Sequence, residues 1–233
     1  MSKDLRYFNF PIQLISGFMA NPNKCLSDIA NYAVYEHSLK MNNSKELERF
    51  EVSADYYGIK FSNTKNSLSN GKLLYNSIPT KSPKVGLSTQ IYWDFYKNDK
   101  TEFDKICLLG FLALKSIVQK KACCKTNNKL WLARMDGKKT IKEFSDLSSS
   151  IAKYNNEYQT VKIKNDLRIN WGLITYSRYT KGFYISFKIN LDSLVYYAEN
   201  NRTSNKIKQL KASNKLALDK ALLRINNTTN ARP

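Results

Sequence analysis

The sequence is short of acidic residues, and this shortage is the first guide to its partners. Asp and Glu number 19 against 38 Lys and Arg, which leaves a formal charge of +19 over 233 residues. Such an excess repels itself in a compact fold, so it indicates an anionic partner. Nucleic acid is the first candidate, an anionic membrane surface the second and an acidic protein patch the third. A Lys- and Asn-rich genomic composition is the alternative explanation.

Histidine is nearly absent, and this limits the catalytic centres that the chain can build. His37 is the one histidine, whereas two-histidine metal clusters and the HExxH zinc site need a second. The Gly-Lys-Lys-Thr segment at 137–140 lacks the preceding glycine of a phosphate-binding loop. Carboxylates are scattered and form no paired acidic pattern. We therefore predict that the protein is not an enzyme and needs no cofactor.

Paired cysteines and long apolar runs are also missing. None of the cysteines has CxxC spacing, which argues against a zinc site or a disulfide framework; they are Cys25, Cys107, Cys123 and Cys124. The longest apolar run, 106–114, is far shorter than the roughly 20 residues that cross a bilayer. The first 18 residues carry polar side chains where a signal peptide would be apolar. We expect a cytoplasmic protein with no membrane partner.

Helical periodicity is what the chain has in plenty. The strongest helix is expected at 101–121, where Thr101 can cap the start and Glu102 and Asp104 favour the first turn. Other helices are predicted near 12–19, 24–40, 45–57, 68–76, 88–96, 127–135, 140–153, 157–170 and 192–199.

A β-hairpin follows the helix at 157–170. Between 183 and 190 apolar and polar residues alternate, with Phe183 and Ile185 on one side and Tyr184 and Ser186 on the other. This period is typical of a half-buried antiparallel strand. Residues 171–177 would form the first arm, and Gly182 would supply the positive φ of the loop. Helix, strand, basic loop and return strand follow the order of winged-helix nucleic-acid-binding domains.

The predicted fold is mainly α with a small antiparallel β-hairpin, which makes it an α+β protein. We expect a helical N-terminal region at 1–98 packed on a winged-helix-like domain at 99–200. Residues 201–233 are expected to form a basic amphipathic helix with a flexible tail, because 200–233 holds eight basic residues and one acidic residue.

Candidate nucleic-acid-binding residues lie in three segments. In the 157–170 helix, outward-facing side chains could bind base edges or phosphates while Val161, Leu167 and Trp171 hold the helix to the core. The 140–153 helix is the competing recognition helix, and exposed tyrosines could stack on unpaired bases. The candidate residues are Lys138, Lys139, Gln159, Lys162, Lys164, Arg168, Arg178, Tyr179, Lys181, Lys206, Lys208 and Lys211, with Asn165 as a further possibility.

Three segments between Thr101 and Ile189 carry a family resemblance: TEFDKICLLGFLALKSIVQKK, CKTNNKLWLARMDGKKT and NWGLITYSRYTKGFYISFKI. They resemble winged-helix proteins of bacterial mobile elements, and the last is similar to the strand–wing–strand region of MarR-like regulators. The dimerisation helices and acidic wing residue of those regulators are not evident. The resemblance implies a non-enzymatic protein that binds DNA or RNA.

Size, charge and Lys/Asn richness also resemble type VI-B anti-CRISPR proteins, which inhibit an RNA-guided ribonuclease. This second resemblance implies an alternative function. The chain would then bind such a nucleoprotein effector, or the guide RNA within it.

Overall fold

A computed structural model describes residues 6–42, 45–177 and 182–229, without the side chains of 203 and 221–229. The helices are α1 (Pro22–Ser38), α2 (Glu46–Tyr57), α3 (Thr64–Ser77), α4 (Thr89–Lys97), α5 (Glu102–Val118), α6 (Asn128–Met135), α7 (Ser149–Ala152), α8 (Glu157–Asn170) and α9 (Leu191–Thr229). The strands are β1 (Tyr7–Pro11), β2 (Lys84–Ser88), β3 (Cys123–Thr126), β4 (Ile174–Tyr176) and β5 (Phe183–Ser186). The predicted fold class, mainly α with a small antiparallel β part, is confirmed.

The first sheet, which the sequence did not predict, joins the start of the chain to its middle. β1 and β2 pair antiparallel, with Tyr7 opposite Ser88 and Pro11 opposite Lys84. The helix expected at 12–19 is reduced to a 3₁₀ turn, Ile12–Ile15. Ile12, Leu14 and Ile15 are all buried, so this turn is enclosed rather than amphipathic.

Helix α5 is the centre of the fold. Thr101 accepts a hydrogen bond from the Asp104 N–H at 3.1 Å, and the Asp104 carboxylate accepts one from the Thr101 N–H at 3.0 Å. This capping box fixes the start of the helix as the sequence predicts. Buried side chains of α5 belong to one apolar cluster that runs from Phe8 to Ile185. The N-terminal and C-terminal parts of the chain therefore share a core across the boundary expected near residue 98.

The C-terminal sheet has three strands in the order β3-β5-β4, all antiparallel. Its middle strand is β5, and all four residues of β5 are buried. Phe183 and Ile185 face the main core, whereas Tyr184 packs with Leu194 and Ala198 of α9. The prediction that this strand is half-buried is therefore wrong, because β3 pairs with its outer edge and α9 covers its second face.

The regular alternation also ends earlier than the sequence suggests. The Ser186 hydroxyl accepts hydrogen bonds from the backbone N–H groups of Lys188 and Ile189, at 3.0 and 3.1 Å. These bonds turn the chain out of the strand. Asn190 then caps α9 by accepting a hydrogen bond from the Ser193 N–H at 2.9 Å.

The helix expected at 140–153 is not formed, which removes the competing recognition helix. The chain makes a 3₁₀ turn at Ile141–Asp146, extends at Leu147 and forms the single turn α7. Buried Asp136 explains the break, since its carboxylate accepts hydrogen bonds from the Ser148 N–H and hydroxyl, at 2.9 and 2.6 Å. These bonds hold Ser148 in an extended conformation at the point where a helix would continue.

Helix α9 is one unbroken helix of 39 residues rather than two helices that meet near residue 200. At 1.5 Å per residue it is about 58 Å long. Leu194 and Ala198 are buried against the sheet, whereas every residue from 204 to 220 is exposed. The second half of the described helix therefore projects from the body.

Candidate nucleic-acid interface

Helix α8 has the bounds that the sequence predicts, and it is held tightly to α5. The Asn156 side chain caps it by accepting a hydrogen bond from the Gln159 N–H at 2.9 Å. Ile163 and Leu167 are fully buried. A Cβ atom at Gly110 of α5 would lie 3.2 Å from Ile163 Cγ2 and 3.4 Å from Leu167 Cδ1. The lack of a side chain at Gly110 thus lets the two helices approach closely.

The outward face of α8 differs from the prediction at one position. Val161, expected to hold the helix to the core, is 46% exposed. It lies two residues before buried Ile163, which is roughly 200° around the helix, so the two side chains face opposite directions. Tyr158 and Ile169 are 72% and 80% exposed on the same face, beside exposed Asn165. This face is therefore partly apolar.

The basic residues of α8 separate to two sides of the helix. The Lys162 ammonium lies 4.6 Å from the ring centroid of Phe103, on the side of α5. The Lys164 ammonium lies 3.9 Å from the ring centroid of Phe183, on the side of the sheet. Gln159 is partly buried and Arg168 is exposed. Lys164 and Arg168 therefore lie on one side of α8, and Lys162 lies on the opposite side.

Lys164 belongs to a cavity of about 530 Å³ between the start of α6, α8 and the β4–β5 hairpin. We call it the hairpin cavity; it is lined by Asn127, Asn128, Lys129, Lys164, Thr175, Ser177, Gly182 and Phe183. Two of these residues are lysines, two carry hydroxyls and two carry side-chain amides, and none of them is acidic. The Lys164 ammonium lies against the lining residue Phe183, whereas the Lys129 ammonium lies 5.6 Å from the ring centroid of Phe144, which is not part of the lining. Arg168 lines an adjacent cavity of about 490 Å³ with Asn165 and Thr175.

The environment of Lys164 is unusual for a lysine at a surface cavity. Its ammonium donates a hydrogen bond to Asn128 Oδ1 at 2.8 Å and lies 5.3 Å from the ring centroid of Trp131. Burial lowers the pKa of Lys164 from 10.5 to about 8. Removing an ammonium from water disfavours its charged form. An anion that enters the cavity would therefore contact a partly desolvated ammonium group. The negative charge of the anion would in turn favour the protonated form of Lys164.

Gly182 closes one side of the hairpin cavity and has the positive φ that the sequence predicts, at 109°. A Cβ atom here would lie 2.2 Å from the carbonyl oxygen of Thr126 on β3. Glycine is therefore required by the close approach of β3 as well as by φ. The predicted wing-tip residues Arg178, Tyr179 and Lys181 lie outside the described residues.

Lys138 and Lys139 lie at the other end of α6 from the hairpin cavity. The Lys138 ammonium is 4.0 Å from the Asp136 carboxylate, and the Lys139 N–H donates a hydrogen bond to Glu143 at 2.8 Å. The eight residues of α6 span about 12 Å. These two lysines are thus not brought together with Lys164.

Lys206, Lys208 and Lys211 are exposed on the projecting half of α9. They follow Ala198, the last buried contact of α9 with the sheet, by eight or more residues. This separation is at least about 12 Å along the helix. They form a basic surface of their own, apart from α8.

Lys129 was not predicted from the sequence as a binding residue, although it is among the residues that line the hairpin cavity. The start of α6 was predicted near residue 127, and the Asn127 side chain caps the helix by accepting a hydrogen bond from the Leu130 N–H at 2.9 Å. This cap places Lys129 in the first turn. Only the fold brings that turn beside Lys164, across an interval of 35 positions.

His37 is engaged in packing between α1 and α2. Its Nδ1 lies 3.2 Å from the Ser53 hydroxyl, and its ring stacks on Tyr56 with centroids 4.6 Å apart. Burial lowers its pKa. Ser53 is 0% exposed, so a substrate could not reach this hydroxyl. Within the described residues, no group of three or more His, Cys, Asp and Glu side chains could hold a metal ion.

Two further results concern membranes and known proteins. Among the described residues, none of the helices combines the length and apolarity that crossing a membrane requires. Comparison with protein-family models, with curated proteins and with solved structures finds no match to this chain.

Proposed function

We propose that this protein binds nucleic acid through the hairpin cavity and the adjoining Arg168 side of α8. The observation that carries the proposal is the hairpin cavity itself, where the partly buried Lys164 lies beside hydroxyl and amide groups, with Lys129 also in the lining and no carboxylate among the lining residues. Such donors match phosphate oxygens. The formal charge of +19 would draw a polyanion to the surface.

The order of elements supports a winged-helix type of binding. The chain runs α5, β3, α6, α8, β4 and β5, and the sheet order is β3-β5-β4. In winged-helix domains a helix before the hairpin binds nucleic acid, and the hairpin loop contacts it beside that helix. Here α8 takes the first role, and the loop that contains Arg178 and Lys181 takes the second.

Roles can be assigned to the residues on this surface. Lys129 and Lys164 neutralise phosphates, and Arg168 and Asn165 offer donors that can reach base edges. Lys206, Lys208 and Lys211 add a second phosphate contact from the projecting half of α9. Lys138, Lys139 and Lys162 lie on other faces and contribute only to the overall positive field, and the uncharged, partly buried Gln159 has no role in this proposal.

The test compares two double variants with the same loss of charge. Lys129→Gln with Lys164→Gln should weaken binding to a labelled duplex at least about tenfold, and should lower the salt slope by about 2. Lys65→Gln with Lys81→Gln, at exposed positions elsewhere, should change both quantities much less. Equal effects of the two variants would show that net charge, not the hairpin cavity, determines binding.

The loop is tested separately with Arg178→Ala combined with Lys181→Ala. Because these residues follow Ser177 and precede Gly182 in the chain, we expect a loss of about tenfold in affinity. An unchanged affinity would remove the loop from the proposed surface. Absence of any salt-sensitive binding by the wild-type protein would reject the function.

A second candidate function, inhibition of an RNA-guided ribonuclease, is favoured by one observation on α9. Its projecting half exposes Ile207, Leu210 and Leu218 beside lysines, and such an apolar face is typical of a protein-docking helix. The test is direct: the purified protein is added to a type VI-B effector loaded with guide RNA. Loss of RNA cleavage at stoichiometric protein, with weak binding to free RNA, would favour this function over the first.

A further inference from the structure

A second cavity, of about 560 Å³, lies in the N-terminal part between α1, the α2–α3 connection and α4. None of the nucleic-acid-binding residues predicted from the sequence lines this cavity. Its walls include Phe61, Trp93 and Tyr96, with Lys60 and Lys97 at the sides. We call it the aromatic cavity. Its volume is within the roughly 300–1,000 Å³ of typical ligand sites.

Three aromatic rings of α4 form an ordered arrangement in this cavity. The Tyr92 and Tyr96 rings are nearly parallel, at 10° and with centroids 5.8 Å apart. Trp93 stands edge-on to both, at 84° and 89°. Tyr92 is 3% exposed, whereas Tyr96 is 48% exposed. The buried Tyr92 ring and the partly buried Trp93 ring thus hold the Tyr96 ring, and nearly half of the Tyr96 surface remains open to a ligand.

The charged residues that line the aromatic cavity are both lysines. The Lys97 ammonium lies 4.9 Å from the ring centroid of Trp93, and Lys60 is exposed on the opposite connection. No carboxylate is among the lining residues, while Ser27, Ser62 and Ser67 add hydroxyl groups. A flat ring held by aromatic side chains, with an anionic group beside it, fits this combination of surfaces.

We propose that the aromatic cavity binds one unpaired nucleobase, stacked on Tyr96, with its phosphate near Lys60 and Lys97. This inference rests on the proposed function and adds a specificity to it. Every base has a π-face, and stacking on a fixed aromatic ring requires that the base is not paired. The protein therefore prefers nucleic acid with an unpaired segment over a fully paired duplex.

The experiment uses one duplex in two forms, fully paired and with a short unpaired extension that contains 2-aminopurine. The extension should tighten binding by the wild-type protein by about tenfold, since one base–aromatic contact has an effect of this order. The 2-aminopurine fluorescence should fall when the base stacks. Tyr96→Ala should remove both effects, and Tyr96→Phe should keep them.

Tyr56→Ala serves as the matched control, because Tyr56 is 44% exposed on α2 and does not line the cavity. It should leave the gain from the extension unchanged. Equal affinity of the wild-type protein for the two forms would overturn the inference even if Tyr96→Ala failed to fold. If the wild-type protein also failed to bind the fully paired duplex, that result would count against the proposed function. The failure of the inference and the failure of the proposed function are therefore distinguishable.

Discussion

The ammonium of Lys164 lies 3.9 Å from the ring centroid of Phe183, and this contact couples α8 to the central strand of the sheet. Burial lowers the pKa of Lys164 to about 8, so the charge of this lysine is sensitive to pH near neutrality. Binding that depends on the charged form should weaken about tenfold between pH 7 and pH 9.

Lys164→Arg is the control for this pH dependence. A guanidinium stays charged throughout the range, so binding by this variant should be nearly flat between pH 7 and pH 9. The measurement is a titration of labelled duplex at each pH and constant salt. The same slope in wild type and Lys164→Arg would assign the pH effect to another group.

The same shift predicts a trend in stability. The pKa of Lys164 is lower in the folded protein than in the unfolded chain, so the unfolded chain binds the extra proton between about pH 8 and its ordinary value of 10.5. Stability should therefore rise with pH across this window. Urea denaturation at pH 8 and pH 10, compared with Lys164→Met, isolates this contribution as a difference between the two proteins.

Gly182→Ala should destabilise the protein by more than the cost of its φ angle. A left-handed alanine costs about 1–2 kcal/mol, and a Cβ here would also lie 2.2 Å from the Thr126 oxygen. Gly172→Ala is the matched control, because Gly172 has a φ of 66° and nothing within 4 Å of such a Cβ. Equal losses of unfolding free energy would mean that β3 moves away readily.

Leu194→Ala should loosen the attachment of α9 to the sheet. Leu194 is 0% exposed, and removal of a buried leucine side chain costs about 2–5 kcal/mol. Leu191→Ala, in the same helical turn but 50% exposed, should cost much less. The release of α9 would be measured as faster proteolysis under native conditions. A Leu194→Ala protein as stable as Leu191→Ala would contradict the packing of α9 on β5.

Deletion of residues 204–233 should leave the melting temperature nearly unchanged, because the described side chains at 204–220 are exposed. If the lysines of α9 contact phosphates, the deletion should also lower the slope of log affinity against log salt by about 0.9 for each lost contact. An unchanged slope would show that this half of α9 does not touch nucleic acid.

Local signals in the sequence predicted the elements that are stabilised locally. The bounds of α8 and the start of α5 at Thr101 are confirmed. The structure shows that side-chain caps from neighbouring residues, Asn156 and Thr101, fix these helix starts. The strands β1, β2 and β3 were missed, because each has only four or five residues and pairs with a distant segment. The prediction of a helix at 140–153 was wrong, because helical spacing alone does not reveal the Asp136–Ser148 hydrogen bonds.

The candidate site was predicted in part for the same reason. Helical periodicity placed Lys164 and Arg168 on α8, but it did not show which side of α8 the sheet would occupy. The alternation of β5 was real, yet its polar face is buried because α9 returns over Tyr184. The presence of Lys129 and Lys164 in the lining of one cavity depends on tertiary packing and has no counterpart in local sequence.

Because α9 is one continuous helix, its contact with the sheet also fixes the direction in which its lysines point. Each residue added between Ala198 and Lys206 would turn those lysines by about 100° and advance them 1.5 Å. Insertion of one residue would therefore point the lysines in a different direction around the helix axis. Insertion of seven would nearly restore the azimuth while moving the face about 10 Å outward, so reach and orientation of this arm can be varied independently.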